Sequence, residues 1–343
     1  MNKIQIDFVV TWLDSTDPEW QRSLALYSHN SNGRKENARF RNTDFFVYWF
    51  RAVEQYAPWV HKVFLVTNGK FPDWINKNCP KLELVKHTDF IPTEFLPTFN
   101  CRTIELHLHR IKGLSEHFVY FNDDMLLNSP VKTDYYFKNG LPCDINNETF
   151  LNVPIYTPKD MFGNYISMLA DIGIINRHFN RRKTVRKSLK RWLGLHLGIK
   201  GIIVSTILLD KKLFIGFSNY HTEQTFLKSV FDELWEKEPD VLKAACTRFR
   251  EDNTVNNYIF RYWQLANNLF YPMRRKSAFF FLTKRDIIND IEKALQLNKN
   301  ISVCLNDDAL CSDEDFIYIN RRIQQLYEKK LPQKSSFELL VDR

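Results

Sequence analysis

Cysteine pairs of the CxxC kind are absent from this chain. Its six cysteines, Cys79, Cys101, Cys143, Cys246, Cys304 and Cys311, are scattered, which argues against a zinc site. In a chain this long they read as reduced thiols of a cytosol. No secretory leader is expected, because Met1-Asn2-Lys3 runs directly into a predicted strand. No apolar run approaches the roughly 20 residues a membrane-spanning helix needs. Glycine is scarce, at ten residues in 343, so flexible linkers are few. There is no tandem repeat, and no motif of nucleic-acid recognition, so nucleic acid is not an expected partner. The formal net charge is +8. Such a surface suits a nucleotide, an anionic membrane or a polyanion, but it also serves plain solubility, and charge alone does not choose.

What the chain has in quantity is aromatic: 28 Phe, 14 Tyr and 8 Trp. Rings on this scale predict a dense aromatic core plus stacking or interfacial surfaces. The length permits one large domain or two modest ones. Residues 4–12, 61–67, 82–86 and 117–122 read as strands, with helices over 43–56 and 102–112 between them; Thr43 is the expected cap of the first, and Pro58 and Gly113 are the stops. Strands separated by helices predict an α/β, Rossmann-like, mostly parallel sheet with right-handed crossovers and helical insertions. Residues 130–180, carrying Pro130, Pro142, Pro154 and Pro158, read as loops and edge elements. Residues 181–217 form a separate module in which a cationic stretch, Arg181 to Arg191, runs into an apolar one, Trp192 to Leu209. That pattern fits an interfacial membrane element and equally a solvated helix beside a core helix. Helices are expected over 222–236, 240–250, 254–271 and 313–329, and a strand over 301–307.

The chemistry sits at strand ends. Phe118-Val119-Tyr120-Phe121-Asn122 stops at Asp123-Asp124, and Ile6-Asp7-Phe8-Val9-Val10-Thr11-Trp12-Leu13 stops at Asp14. Open α/β sheets bind ligands at the carboxyl ends of their strands. Adjacent carboxylates repel unless something positive offsets them, so Asp123 and Asp124 suit a divalent metal on a diphosphate better than a simple turn. Asp17 reads as the cap of a helix starting at Pro18. The strand 301–307 ends in a second Asn-Asp pair, Asn306-Asp307. Arg39 and Arg41, like Arg248 and Arg250, suit phosphate oxygens or plain surface loops. His221 suits a general base or a phosphate contact, although a lone histidine is commonly structural. His107 and His109 read as packing residues.

Four blocks, taken in order, resemble the Stealth family of sugar-phosphate transferases, which includes bacterial capsular and exopolysaccharide phosphotransferases and the animal N-acetylglucosamine-1-phosphotransferase. The first is Ile6 through Asp14-Ser15-Thr16-Asp17-Pro18-Glu19-Trp20. The second runs from Arg39-Phe40-Arg41 through Tyr56-Ala57-Pro58-Trp59-Val60, Leu96-Pro97-Thr98-Phe99-Asn100 and Ile104-Glu105 to Asn122-Asp123-Asp124. The third spans His221, Trp235 and Arg248-Phe249-Arg250, and the fourth is Cys304-Leu305-Asn306-Asp307 with Ser335-Ser336-Phe337-Glu338. The departures are Ser15, where the family usually has Gly, and Glu223-Gln224 after His221, where it often has Pro with Arg or Gln.

The resemblance implies one catalytic unit over 1–343: a nucleotide-sugar half in 1–130, the basic and apolar insertion 181–217, and a helical part 218–343 completing the site. It implies transfer of a hexose-1-phosphate, such as an N-acetylhexosamine-1-phosphate, from a UDP-sugar to an acceptor sugar hydroxyl. A phosphodiester of capsular or exopolysaccharide biosynthesis forms, and UMP leaves. The metal, Mg²⁺ or Mn²⁺, would sit on Asp123, Asp124 and Asp307. His221 is the favoured base and Asp124 the second, with Arg250 catalytic. Asp14, Arg39, Arg41, Asn100, Glu105, Arg248 and Asn306 would bind substrate. The acceptor is a saccharide or lipid-linked oligosaccharide, which places the enzyme in a bacterial cytoplasm at the inner face of the cell membrane. The rival reading is a metal-dependent glycosyltransferase that forms a glycosidic bond and releases UDP.

Overall fold

A computed structural model of the protein describes residues 4–28, 41–150, 159–251, 254–308 and 310–339. Its central sheet has the order β3-β2-β1-β4-β8. β1 (Ile6–Thr11), β2 (Val63–Thr67), β3 (Leu82–Lys86) and β4 (His117–Asn122) are all parallel, and β8 (Gln224–Leu227) closes the β4 edge antiparallel. β1 lies between two neighbours, and successive residues Ile6 to Val10, which point to alternate faces, are all buried, so both its faces are covered. That is why its sequence is near-continuously apolar. Helix α1 (Pro18–Tyr27) follows β1, and Asp17 caps it by accepting from Glu19 N at 3.2 Å. Helix α2 (Phe46–Tyr56) lays its rings on the sheet, with Trp49 edge-on to Phe121 at 5.4 Å and Phe8 against Phe121 at 4.9 Å. The aromatic core expected from composition is this layer. Helix α3 (Cys101–Leu106) leads back toward β4.

After β4 the chain makes a turn at Asp123-Asp124 and enters β5 (Met125–Leu127), which belongs to a second sheet. There β5 pairs antiparallel with β11 (Ser302–Asp307), and β11 pairs parallel with β10 (Ser277–Leu282). A small third sheet joins β6 (Phe137–Lys138), β7 (Leu141–Asp144) and β9 (Tyr271–Pro272). The two carboxylates therefore occupy the passage between the central and second sheets.

The remaining helices are α4 (Lys159–His178), α5 (Arg181–Lys187), α6 (Leu189–Trp192), α7 (Gly198–Ile207), α8 (Lys228–Lys237), α9 (Pro239–Ala245), α10 (Tyr258–Ala266), α11 (Ile287–Leu297) and α12 (Asp313–Lys330). The closing block is structural. Glu338 grips the buried Arg51 guanidinium, with Nε–Oε1 3.0 Å and Nη2–Oε2 2.9 Å, and Phe337 packs on Phe50 at 5.4 Å.

Several element expectations need correction. The stretch 130–180 is not loop throughout, since Lys159–His178 is a 20-residue helix whose face packs on α10; Pro154 and Pro158 lie outside the described residues. Residues 222–236 are not one helix. Gln224–Leu227 are all buried at the sheet edge opposite Tyr120 to His117, and edge pairing overrides helical periodicity there. The helix expected over 102–112 ends at Leu106 and gives way to a 3-10 turn at Leu108–Arg110. The helix over 240–250 ends at Ala245, short of Arg248, and 254–271 is helical only from Tyr258 to Ala266. Thr43 is not the cap of α2, whose first turn is entered from Phe45 with no side-chain cap.

Candidate active site

The turn between β4 and β5 presents Asp123 and Asp124, both half-buried. The main chain fixes it, because Leu305 N donates to Asp124 O at 2.9 Å and thereby ties the turn to β11. From β11 the Cys304 thiol donates to Asp124 Oδ2 at 3.4 Å. His221, in the turn before β8, completes a trio: one ligand atom each from Asp124, His221 and Cys304 all lie within 4.8 Å of one another. The His221 ring meets Phe279 of β10 edge-on at 5.5 Å and is otherwise exposed. It therefore precedes a strand, not the helix its sequence position suggested.

The electrostatics of this corner are strained toward negative. Burial, reinforced by the neighbouring Asp124 charge, raises the Asp123 carboxyl to about 7. Burial raises Asp124 as well, against the pull of His221 and the Cys304 hydrogen bond. The Cys304 thiol is pushed well above its usual range by burial and by Asp124, Glu223 and Asp123, so it stays protonated and serves as a donor. Asp124 Oδ1 is buried and has no hydrogen-bond partner among the described residues. Two adjacent carboxyls, one with an orphan oxygen, are a donor set that a hard divalent cation fits. Neither Asp123 nor Asp307 belongs to the trio of Asp124, His221 and Cys304; Asp123 is beside it in the turn, whereas Asp307 is engaged elsewhere. It pairs instead with Arg41 (Nη1–Oδ1 3.4 Å), which also donates to Cys311 O at 3.0 Å and Asp313 Oδ1 at 2.9 Å. Burial raises Asp307 to about 6 despite Arg41, and its Oδ2 also lacks a partner among the described residues. Asn306 donates to Asp307 O at 2.9 Å.

A second polar cluster lies at the end of β4. The Tyr120 hydroxyl is 3.1 Å from Glu105 Oε1, 2.7 Å from Asn122 Oδ1 and 3.2 Å from Thr11 Oγ1. Glu105 is buried, and burial lifts its carboxyl to about 7 against the opposing charges of Arg250 and Arg102. Arg250 donates to Cys101 Sγ at 3.0 Å. Asn100 is buried and its side chain is committed: Oδ1 caps α3 through Arg102 N at 3.1 Å, and Nδ2 donates to Thr247 Oγ1 at 3.1 Å. It therefore clamps the 247–250 loop to α3. Arg248 points elsewhere, donating to Pro97 O at 3.0 Å with its guanidinium 4.0 Å over Tyr27.

At the other strand end, Asp14 Oδ1 accepts from Thr16 N at 2.9 Å, Thr16 Oγ1 at 2.6 Å and Asn42 Nδ2 at 3.0 Å. Burial pushes its carboxyl up, but these bonds outweigh it and leave it below the ordinary value. Ser15 does not adopt the positive φ that would call for a glycine, and its N and Oγ both donate to Asn42 Oδ1. Arg39 lies outside the described residues. His107 and His109 are buried packing residues, ring to ring with Trp235 at 5.0 and 6.1 Å.

Sequence reasoning missed three participants. Cys304 carries no role in the sequence reading beyond its place in the fourth block, although residues two apart on a strand share a face and Asn306 follows it. Tyr120 was read only as strand. Glu223 departs from the family's pattern, yet it is buried, with its carboxyl raised by burial against the attraction of Arg275. Arg275 itself donates to Glu223 O and to Thr225 Oγ1, the latter at 2.6 Å.

Known proteins match this geometry's sequence. A family model described as Stealth protein CR2, conserved region 2, matches residues 39–144, the span that holds Glu105, Asp123 and Asp124. The capsular polysaccharide phosphotransferase WcwK of Streptococcus pneumoniae is 36% identical over 98% of this chain and 99% of its own. The receptor polysaccharide phosphotransferase WefC of Streptococcus oralis is 36% identical over 99% of this chain and 100% of its own. The exopolysaccharide phosphotransferase cps2G of Lactiplantibacillus plantarum is 35% identical over 97% and 96%.

Proposed function

The chain belongs to the Stealth family of polysaccharide phosphotransferases and is an enzyme; on that premise we propose that it moves a hexose-1-phosphate from a UDP-sugar onto an acceptor saccharide hydroxyl. The product is a phosphodiester of a capsular or exopolysaccharide, and UMP departs. The acceptor is a lipid-linked oligosaccharide or a growing chain, met at the inner face of the cell membrane.

The observation that carries this reading is the pair of half-buried carboxyls, Asp123 and Asp124, with His221 beside them and an orphan oxygen on Asp124. Asp123 and Asp124 would hold a divalent metal, Mg²⁺ or Mn²⁺; bound there, it supplies neutralisation of the donor's phosphate charge. Phosphoryl-type transfer is mostly positioning and charge neutralisation. The chain's own residues do the rest. His221 accepts the proton of the acceptor hydroxyl as its oxygen bonds to the phosphorus next to the sugar. The bond from that phosphorus to the UMP oxygen breaks, and the electron pair leaves with UMP. Arg250, at the mouth of the Glu105 cluster, holds phosphate oxygens. Arg41 orients Asp307, and Asn306 and Asp14 line the nucleotide side. Arg39 is assigned to phosphate by its place in the motif.

The test is the nucleotide product formed from a UDP-sugar with Mg²⁺ or Mn²⁺ and a saccharide acceptor. Acceptor-dependent UMP supports sugar-phosphate transfer; UDP would mean glycosidic transfer and would overturn the mechanism. A positioned base contributes about 10² to 10⁴ in rate, so His221→Ala should lose at least about 10² in kcat while melting like the parent. Near-normal turnover removes His221 from the mechanism.

A further inference from the structure

Helix α7 turns a row of aliphatic side chains to solvent. Ile199, Ile203 and Ile207 recur every four residues, one above the other on the helix surface, and are 79%, 53% and 69% exposed; Leu195, in the 3-10 turn just before the helix, is 91% exposed. Leu213, 59% exposed, extends the patch. The opposite side of α7 is firmly seated. Leu197, Gly201 and Ser205 are buried, and a Cβ on Gly201 would stand 3.0 Å from Asn147 Oδ1. The segment is pinned beneath by Arg181, which is fully buried, pairs with Glu148 at 2.7 and 2.5 Å and donates to Leu208 O. Trp192 Nε1 adds a bond to Asn268 Oδ1 at 2.8 Å. The row is therefore a fixed outer face of a docked helix.

Its surroundings carry one sign of charge. Between residues 181 and 213 there are ten Lys or Arg and a single acid, Asp210. That acid is already paired with Arg186 at 3.1 Å. Lys190, Lys200, Lys211 and Lys212 are all exposed around the aliphatic row. A second copy of this chain placed face to face would bring two cationic rims together, since a two-fold interface matches a patch with itself. An anionic bilayer matches both halves of the pattern: the headgroup boundary takes the isoleucines, and the negative lipids take the lysines. The ten-residue helix is too short to cross, and no helix among the described residues is long and apolar enough to do so.

We propose that α7 and its lysine rim dock this enzyme peripherally on an anionic lipid bilayer. The purpose of that docking, to meet a membrane-borne acceptor, rests on the function proposed above; its evidence does not.

The experiment is flotation of the full chain with vesicles of phosphatidylcholine alone and of phosphatidylcholine mixed with phosphatidylglycerol, at low and high salt. The enzyme should float with the anionic vesicles at low salt and be released by high salt. Ile203→Glu should abolish flotation. Lys200→Glu should lower vesicle partition at least about fivefold, the contribution of one basic residue near an anionic surface. Both positions are exposed, so both variants should melt like the parent. Both should also release UMP normally on a soluble saccharide acceptor, which separates failure of the docking from failure of the chemistry. No flotation with either vesicle, or equal and salt-insensitive flotation with both, overturns the proposal. A dimer that Ile203→Glu converts to monomer, without flotation, assigns the face to a second copy and overturns it too.

Discussion

Replacing Asp123 by Asn should stabilise the metal-free protein and blunt its response to divalent metal. The Asp123 carboxyl ionises near 3.8 when unfolded and near 7 in the folded chain, so the folded state holds the extra proton between those values. Stability then falls as pH rises through that window, because the unfolded state gives up its proton first. At 1.36 kcal/mol per unit, the full shift would cost about 4 kcal/mol at pH 8. Asp123 keeps partial contact with solvent, and water reduces the cost, so about 2 kcal/mol is the working figure. Unfolding entropy of about 2.1 cal/mol/K per residue converts that into a gain of about 3 °C in melting temperature at pH 8. The gain should shrink to nothing as pH falls toward 4. Metal should act in the opposite sense on the parent, adding about 2.7 kcal/mol at one hundred times its dissociation constant, and should add much less to Asp123→Asn. The assay is thermal unfolding of both proteins from pH 4 to pH 8, with and without Mg²⁺ or Mn²⁺. A variant less stable than the parent at pH 8, or one with the parent's full metal response, refutes the reasoning.

Glu338→Gln leaves Arg51 buried with half its partner gone and should cost about 3 kcal/mol, read as a lower urea midpoint at unchanged slope. Cys101 is the exposed cysteine of the six and should be alkylated first at pH 8, while Cys304 stays unreacted until the chain unfolds; mass mapping after brief treatment decides it. Glu105, held at about 7 by burial, ionises as pH rises through that value and then competes with substrate phosphate for Arg250. The KM for the donor should therefore rise above pH 7 in the parent and stay level in Glu105→Gln; a rise that persists in the variant assigns it to another group.

Much of the first half of the fold was legible because its signals are local. β1, β2 and β4 are buried on both faces, so their apolar runs announce them; the acids beyond β1 and β4, and Asn68-Gly69 after β2, mark where the sheet stops. Asp17 was legible as a cap from Asp-Pro spacing alone. The second half was less so. Gln224–Leu227 looks helical by period, and only the vacant edge of β4, far away in sequence, makes it a strand. Cys304 reads as a small core hydrophobe until β11 is laid beside the Asp123-Asp124 turn. The resemblance implies that Asn100 binds substrate; its bonds to Arg102 N and Thr247, which only the folded chain brings within reach, could not be read from the motif. Arg248 and Arg250 look equivalent in sequence, yet Phe249 stacks on Phe99 at 5.2 Å and sends the two guanidinium groups to different places.

The bond from Cys304 to Asp124 spans 180 positions, and the turn it steadies is also held by Leu305 N. The corner therefore leans on a strand that lies close to the end of the chain: a chain cut before β11 would lose the Cys304 donor and the Leu305 tie together and leave β5 without its partner.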